Sequence, residues 1–422
     1  MNSDSRDSVK DASAIVTAAD IRTARDRLES VVHRTPLDSS TTLATECDAA
    51  GVHLKLENMQ RTGSFKIRGA YNKLSQLDTE TADNGVVAAS AGNHAQGVAL
   101  AGQLLDVDST IVVPEITPAV KIEATRGYGA EVIVEGDIYE DSYERALDLT
   151  DERGAEFVHP FDDEAIIAGQ GTVGFELAEQ CPNVDTVLVS IGGGGLISGI
   201  ATALEAYDPS VRVIGVQPAG AAHAKPSLEA DEIHRLDDID TVAEGIADAR
   251  LLDRTFAVIR ERVDDVVSVS DTDLAAATTL LAERAKTVVE PAGAAPVAAL
   301  LSGAVDVAGE QVVAVVSGGN VNLTDHAALT RVGLEARGRY ATARLLVDGW
   351  PTSLGPLTET IADEGAELVE LERVERTAAD PPNRTPVEVG IAGSSPVHLA
   401  GVLDALNEGT NVRVQSSNVE QK

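Results

Sequence analysis

One lysine, Lys66, has the neighbours that an amine needs in order to react as a nucleophile. It lies in the segment SFKIRGA, residues 64–70, where apolar and small side chains flank it and Gly63 and Gly69 bracket it. Glycine lets the backbone turn sharply and lets another group approach the amine. A lysine in a partly desolvated pocket has a lowered pKa, so more of it is the free base that attacks a carbonyl. These residues alone leave open a surface lysine that begins a helix.

Two glycine-rich segments each follow an apolar run that is typical of a buried strand. The run TVLVSI, residues 186–191, leads into four glycines and a helical pattern. Backbone N–H groups and a helix N-terminus then point at one place, which suits a phosphate. The segment has neither the Walker sequence nor the spaced dinucleotide fingerprint, so we expect the phosphate of something smaller than a nucleotide. The segment SGGN, residues 317–320, follows a strand at 312–316 and presents a hydroxyl and an amide. A tight turn is the alternative for each segment.

An amine, a phosphate cradle and a strand-end hydroxyl are the partners that the aldehyde, phosphate and ring nitrogen of pyridoxal phosphate need. Four motifs in this order, SFKIRGA, SAGNHAQG (residues 90–97), GGGGL and SGGN, resemble those of the fold-type-II pyridoxal-phosphate enzymes. The sequence is most similar to the threonine ammonia-lyase (threonine dehydratase) group, with serine racemases as near relatives. The resemblance covers about residues 15–335.

This resemblance implies a role for each matching residue. Lys66 would hold the cofactor through a Schiff base and later take the α-proton of the substrate, and Phe65 would pack near the cofactor. Asn93 would hydrogen-bond the ring hydroxyl, Ser317 would meet the ring nitrogen, and Glu290 would support the cofactor or simply end a helix. The phosphate would bind Gly192, Gly193, Gly194, Gly195 and Leu196, and the substrate carboxylate would bind a loop of Ser90, Ala91, Gly92 and His94. For His94, a helix-start histidine satisfied by the backbone is the alternative. No metal site is expected.

Ser317 favours one reaction over others. A neutral hydroxyl leaves the pyridine nitrogen unprotonated, so a long-lived carbanion is disfavoured and early loss of a β-substituent is favoured. We therefore expect L-threonine to lose water and yield 2-oxobutanoate and ammonia, with L-serine yielding pyruvate. The reaction would be the first step toward isoleucine or a step of threonine catabolism.

Several other functions are alternatives to threonine deamination. A serine or threonine racemase needs an acid on the face opposite the lysine, and Ala91 carries no proton there. Gln217 and His223, at the places where those racemases bind a divalent metal, are poor ligands for a hard cation. Hydroxyaspartate ammonia-lyase activity remains open. An amino-acid sensor with a degenerate core is an alternative of another class, and the intact motifs argue against it.

The composition of the chain indicates which binding partners, salt conditions and cellular location to expect. The chain has 68 acidic and 33 basic residues and a formal net charge of −35, which argues against nucleic acid or an anionic membrane as partner. Such self-repulsion needs screening, so we expect adaptation to a salty cytoplasm, with an acidic protein of ordinary cytoplasm as the alternative. No apolar run is as long as a membrane span, and the N-terminus is unlike a signal peptide, so we expect a soluble cytoplasmic protein. Cys47 and Cys181 form no disulfide or metal pattern.

The order of elements predicts an α/β protein. Strands alternate with helices through residues 16–335, which indicates βαβ units and two parallel-sheet subdomains, the smaller inserted at about 62–165. We expect a disordered acidic tail at 1–15, a turn at Gly169-Gln170-Gly171, and an irregular, Asp-rich stretch after residue 216.

The last stretch, 340–422, has the βαββαβ order of a ferredoxin-like domain. It resembles an ACT-type regulatory domain through DGWPTSL, residues 348–354, although Thr352 and Glu367 depart from that pattern. The resemblance implies an amino-acid effector, isoleucine or valine, and a homodimer or homotetramer, while a domain used only for assembly is the alternative.

Overall fold

The computed structural model describes residues 15–409 and 411–419. The predicted tail therefore lies outside the described residues, except for its last residue. The chain divides into two compact units, the first ending at Asn322 and the second beginning at Leu323. Within the described residues, no helix combines the length and apolar character that a bilayer crossing requires.

The first unit alternates strands and helices. Its strands are β1 (Leu37–Ser39), β2 (Gly51–Leu56), β3 (Val86–Ala89), β4 (Ser109–Val113), β5 (Glu131–Val134), β6 (Glu156–Phe157), β7 (Thr186–Ser190), β8 (Arg212–Pro218), β9 (Asp265–Val269) and β10 (Gln311–Val316). Its helices are α1 (Ala18–Leu28), α2 (Thr41–Glu46), α3 (Lys66–Leu74), α4 (Thr79–Asn84), α5 (Asn93–Leu105), α6 (Ala119–Gly127), α7 (Tyr139–Arg153), α8 (Glu164–Gln180), α9 (Gly195–Glu205), α10 (Ala224–Ala230), α11 (Asp253–Arg262), α12 (Asp271–Leu280) and α13 (Pro291–Leu301).

Two sheets organise this unit, as the α/β prediction requires. The larger has the order β1-β2-β10-β7-β8-β9 and is parallel except for the edge strand β1. The smaller has the order β5-β4-β3-β6 and is wholly parallel. Central strands such as β7 are buried along their whole length, because helices cover both faces of a parallel sheet.

Local signals set several helix ends. Thr17 and Asp20 form the capping box of α1: the Thr17 Oγ1 accepts from the Asp20 N–H at 3.3 Å, and an Asp20 carboxylate oxygen accepts from the Thr17 N–H at 2.9 Å. A capping side chain satisfies N–H groups that the helix itself leaves unpaired. Helix α1 ends at Leu28, with Arg25 and Arg27 in its last turn.

The predicted turn at Gly169-Gln170-Gly171 is wrong, because these residues lie inside helix α8. A Cβ at Gly171 would lie 2.9 Å from the carbonyl oxygen of Gly199 in α9. The glycines therefore let two helix backbones touch rather than break a helix. The stretch after residue 216 that we expected to be irregular also contains two helices, α10 and α11.

The second unit contains α14 (Leu323–Ala336), β11 (Tyr340–Asp348), α15 (Leu354–Asp363), β12 (Glu367–Arg373), β13 (Arg384–Ala392), α16 (Pro396–Gly409) and β14 (Val412–Ser417). Its sheet is antiparallel with the order β12-β13-β11-β14. Leu357 of α15 and Leu403 of α16 pack with Val389 of the sheet in one buried cluster. The βαββαβ prediction is confirmed, and the arrangement is ferredoxin-like.

Candidate active site

Three strand ends of the large sheet meet at one edge. Strand β10 lies between β2 and β7 and runs parallel to both, so the carboxyl ends of the three strands are neighbours. The lysine segment follows β2 after a short loop, SGGN follows β10, and the glycine cradle follows β7. In open parallel sheets, ligands collect outside such ends.

The lysine segment is fastened to SGGN by backbone contacts. Ser64 and Gly318 form an antiparallel bridge, the Phe65 N–H donates to the Ser317 carbonyl at 3.3 Å, and the Gly319 N–H donates to the Gly63 carbonyl at 2.9 Å. Gly63 has a φ of +74°, which glycine adopts without strain. These contacts fix Lys66 at the first residue of α3.

The Lys66 side chain is half-buried, and its amine lies among polar groups. Its Nζ donates to the Pro160 carbonyl oxygen at 2.9 Å and lies 5.2 Å from the centre of the Phe65 ring. Burial lowers the pKa of Lys66 to about 8, although the charges of Asp248 and Glu290 oppose this. Lys66 does begin a helix, but its side chain is not exposed, unlike the surface lysine of the alternative interpretation.

The four glycines after β7 form a close-fitting turn. A Cβ at Gly192 would collide with the Asp248 carboxylate, and a Cβ at Gly193 would collide with the Phe161 ring. Gly194 has a φ of +91° and caps α9. Gly195 begins α9, and Leu196 in its first turn is buried. These glycines carry no side chains, so the turn can present backbone N–H groups to an anion. The Asp248 carboxylate already accepts from one of them, the Gly193 N–H.

Asn93, Glu290 and the SGGN segment form a second cluster. The Asn93 Nδ2 donates to a Glu290 carboxylate oxygen at 2.6 Å, and the Glu290 N–H donates to the Gly318 carbonyl at 3.1 Å. Burial raises the pKa of Glu290 to about 7, against the hydrogen bond from Asn93. The Asn93 Oδ1 is buried and has no hydrogen-bond partner among the described residues. Ser317 is 5% exposed.

The predicted substrate loop joins β3 to α5. The Ser90 N–H donates to the Val112 carbonyl at 3.3 Å, and the Ser90 Oγ accepts from the Gly92 N–H at 3.2 Å. The His94 Nε2 donates to the Val158 carbonyl at 2.8 Å. Burial lowers the pKa of His94 to about 3, and the charge of Lys66 adds to the shift. His94 is therefore neutral, with one ring nitrogen already engaged by the backbone. Ala91 is half-buried beside it.

The family described as "Pyridoxal-phosphate dependent enzyme" matches residues 28–318. The chain belongs to this family. Its cofactor is pyridoxal 5'-phosphate.

Named relatives match a longer part of the chain than the family does. An "L-threonine ammonia-lyase" of Thermotoga maritima is 44% identical over 355 residues, which cover 84% of this chain and 88% of that protein. One from Geobacter sulfurreducens is 42% identical over 386 residues, 92% of this chain and 96% of that protein. The structure of maize serine racemase superposes with a TM-score of 0.72 at 39% identity and covers 74% of this chain and 96% of that chain.

The residues present fit the cofactor of this family. The turn after β7 consists of glycines, whose backbone N–H groups are the donors that a phosphate needs. The Asn93 Oδ1 and the Ser64 Oγ are buried polar atoms without protein partners among the described residues, and a buried polar atom needs a partner. A desolvated amine lies at the same sheet edge.

Three residues of this candidate site were not predicted from the sequence. Phe161 packs on the glycine turn, Pro160 accepts from Lys66, and Asp248 contacts Gly192. None belongs to a motif, and each reaches the site from a segment distant in sequence. Asp248 follows the 3₁₀ turn Glu244–Ile246 within the stretch expected to be irregular.

Proposed function

We propose that the protein is a threonine ammonia-lyase, which converts L-threonine to 2-oxobutanoate and ammonia and L-serine to pyruvate and ammonia. The observation that carries the proposal is the half-buried Lys66 amine, with its lowered pKa, at the sheet edge that also holds the glycine turn. The two relatives named L-threonine ammonia-lyase, at 42% and 44% identity, support it.

The site residues then have distinct tasks. Bound pyridoxal phosphate withdraws electrons from the α-carbon of an amino acid and makes its α-proton acidic. Lys66 holds the cofactor and, once released, takes that proton at Nζ. The turn of Gly192, Gly193, Gly194, Gly195 and Leu196 binds the phosphate, and Asn93 and Ser317 orient the ring beside Phe65. Glu290 holds Asn93 in place through its hydrogen bond.

The substrate is held by the loop that begins α5. The loop of Ser90, Ala91, Gly92 and His94 binds the substrate carboxylate in this proposal. Support comes from their position at the carboxyl end of β3, next to the α5 N-terminus, where a carboxylate is favoured. Because the His94 ring is neutral, it would bind the carboxylate by a hydrogen bond and not by charge.

This chain lacks the second acid/base group and the metal ligands that the racemase alternative requires. Ala91 carries no proton for the face opposite Lys66. Gln217 and His223 contact each other, with the Gln217 Nε2 and the His223 Nε2 3.0 Å apart, and Gln217 also accepts from the Ala224 N–H. Both side chains are buried and turned to internal hydrogen bonds, which is unlike the oxygen-rich shell that a hard cation prefers.

Steady-state assays of the holoenzyme test the proposal. We expect 2-oxobutanoate from L-threonine, and we expect Lys66→Ala to lose at least 1,000-fold in rate, on the scale of the loss of a covalent catalytic group, together with the violet absorption of the bound cofactor. Lys225→Ala, which removes an exposed lysine paired with Asp265, is the matched control. Formation of D-serine or turnover of hydroxyaspartate above threonine would favour the alternatives. A colourless wild-type protein would favour a sensor.

We further propose that residues 16–335 form the catalytic domain, with a small subdomain at about 62–165, and that residues 340–422 regulate it. The ferredoxin-like second unit supports this, as does the Geobacter sulfurreducens relative, which matches nearly the whole chain. Isoleucine or valine is the proposed effector, and a homodimer or homotetramer the proposed assembly. Two free cysteines, Cys47 and Cys181, support a cytoplasmic location.

Kinetics with and without isoleucine test this regulation. We expect isoleucine to raise the KM for threonine in the full chain and to have no effect on a chain that lacks residues 340–422. The maize racemase, matched over 96% of its length by 74% of this chain, indicates that a comparable unit folds alone. If both chains have the same kinetics at all isoleucine concentrations, residues 340–422 do not regulate catalysis, and assembly is their remaining role.

A further inference from the structure

Gln217 and His223 lie beside the start of the glycine turn. Gln217 is near the carboxyl end of β8, which runs parallel to β7, and the Ile191 N–H donates to the Val216 carbonyl at 2.8 Å. His223 directly precedes α10. Both side chains are fully buried. Two buried polar side chains therefore lie at the point where β7 passes into the four glycines.

The hydrogen bonds of Gln217 determine which atoms of the pair donate. The Gln217 Oε1 accepts from the Ala224 N–H at 2.8 Å. Its Nε2 donates to the Ile191 carbonyl at 3.4 Å and lies 3.0 Å from the His223 Nε2. An amide nitrogen can only donate, so that ring nitrogen must be unprotonated. The His223 ring is therefore neutral and carries its proton on Nδ1.

The backbone of Gly192 is the neighbour of the His223 ring on the side of the turn. Burial lowers the pKa of His223 to about 4, and the Gly192 backbone acts against this lowering. The His223 Nδ1 is buried and makes no hydrogen bond of ordinary geometry within the part of the chain that the structure describes. A buried donor needs an acceptor, and the Gly192 carbonyl is the acceptor that this contact offers. The pair thus reaches two successive carbonyls, those of Ile191 and Gly192.

Contacts on these carbonyls affect the N–H groups of the turn. Glycines have no side chains with which to fix their own flexible backbone, so neighbouring groups must do this. The Ile191 carbonyl and the Gly192 N–H belong to one planar trans peptide and point in opposite directions. A donor on the carbonyl therefore turns the N–H away from Gln217. It also makes the N–H a stronger donor, because hydrogen bonds in a chain polarise one another.

We propose that Gln217 and His223 are positioning residues for the phosphate of pyridoxal phosphate, an inference that rests on the phosphate position in the proposed function. They hold the peptide that enters the glycine turn from the side opposite its N–H group. Both side chains are neutral, so they add no charge beside the anion. They act on the affinity for the phosphate and leave the chemistry at Lys66 unchanged.

Two forms of the cofactor separate this role from a general effect on folding. Pyridoxal lacks the phosphate but keeps the aldehyde and the ring. Gln217→Met keeps a side chain of similar size that donates no hydrogen bond. For the apo variant, we expect the Kd for pyridoxal phosphate to rise about threefold to tenfold, the usual range for one hydrogen bond, and the Kd for pyridoxal to stay within twofold. Absorbance titration measures both, and kcat on L-threonine at saturating cofactor should stay within threefold.

Variants of His223 test whether the two residues act as a unit. His223→Phe keeps a ring without its nitrogens and should weaken pyridoxal phosphate as Gln217→Met does. The double variant should lose little more than either single variant, because residues of one network are not additive. His223→Gln can still accept from Gln217 and should bind pyridoxal phosphate more tightly than His223→Phe.

A second glutamine–histidine pair in the same sheet provides the matched control. Gln311 lies 3.4 Å from His53, but it is the first residue of β10, at the sheet edge opposite the site. We expect Gln311→Met to leave both Kd values within twofold of the wild type.

The outcomes that would overturn the role are distinct from a failure of the proposed function. Equal losses for pyridoxal phosphate and pyridoxal in Gln217→Met would show a general structural effect, and no loss for either would show that the pair does not support the turn. A wild-type protein that binds both forms equally well would instead contradict the phosphate position in the proposed function.

Discussion

At the scale of single residues, burial and two nearby carboxyl groups have opposite effects on the protonation of the Lys66 amine. Burial destabilises its ammonium form, while the carboxyl groups of Asp248 and Glu290 stabilise it, and burial prevails. The result is a pKa of about 8 in place of the usual 10.5. The site thus holds a lysine that is partly unprotonated near neutral pH, which is the form that bonds to an aldehyde.

The rate at which the apo protein takes up pyridoxal phosphate is expected to rise with pH along the titration of Lys66. The midpoint should lie near pH 8, because deprotonation creates the nucleophile, and a stopped-flow absorbance series from pH 6 to 10 measures it. Glu290→Gln removes a charge that raises the Lys66 pKa, so its midpoint should move to lower pH. A midpoint above pH 10, or one that moves up in Glu290→Gln, would contradict this account of the amine.

Part of this site could be predicted from the sequence, because several of its residues lie next to strands that the sequence itself indicates. Lys66, the four glycines and Ser317 each follow a strand signal directly or after a short loop, so their meeting follows from the sheet. Asp248 and Phe161 could not be predicted, because they arrive from segments without a motif and only tertiary packing brings them to Gly192 and Gly193. The turn predicted at Gly169 and Gly171 was wrong for a related reason. These glycines of α8 allow close contact with other backbone segments, such as α9, and the sequence does not show that contact.

At the scale of elements, a buried ion network joins the lysine helix to its surroundings. Arg68 of α3 is fully buried and pairs with Glu57 at 2.8 Å and with Glu176 of α8 at 2.7 Å. Burial opposes its charge, but these carboxylates outweigh it and raise the pKa of Arg68. The arginine of the SFKIRGA motif thus fixes the helix that begins with Lys66.

Arg68→Met should lower the free energy of unfolding of the first unit by about 3–5 kcal/mol, because it leaves two buried carboxylates short of a partner. Urea unfolding at constant salt measures the effect. Arg126→Met is the control: Arg126 is an exposed residue paired with Glu123 one turn earlier, and such substitutions change stability by about 0.5 kcal/mol or less. Equal losses in the two variants would show that the buried network contributes nothing special.

Contact between helices α8 and α9 depends on glycine in the same unit. A Cβ at Gly199 would lie 2.5 Å from the Gly171 nitrogen and from the Ile167 carbonyl oxygen. Gly199→Ala should therefore destabilise the first unit by about 1–3 kcal/mol, since close-packed backbones must separate. Gly127→Ala in α6 meets no atom within 4 Å and should be neutral or stabilising by up to about 1 kcal/mol. Urea unfolding of both variants decides, and a neutral Gly199→Ala would disprove the tight crossing.

At the scale of the whole molecule, the net charge of −35 should make stability depend on salt. Repulsion among exposed carboxylates acts over about 8 Å at 0.15 M salt and about 3 Å at 1 M. Helix α7 illustrates the surface, since Glu144, Asp148 and Asp151 are all exposed on it. Screening relieves this repulsion in the folded state more than in the expanded chain, because folding brings the charges together.

The melting temperature should accordingly rise by about 3–5 °C between 0.1 M and 2 M KCl, because each kcal/mol of added stability shifts a chain of this size by about 1 °C. Sucrose is the control, because it stabilises proteins by exclusion without screening charge. The triple variant Glu144→Gln/Asp148→Asn/Asp151→Asn should melt higher than the wild type at low salt and no higher at 2 M KCl, where its missing charges are already screened. A melting temperature that is independent of KCl, or a triple variant that gains equally at both salt concentrations, would show that repulsion does not limit this fold.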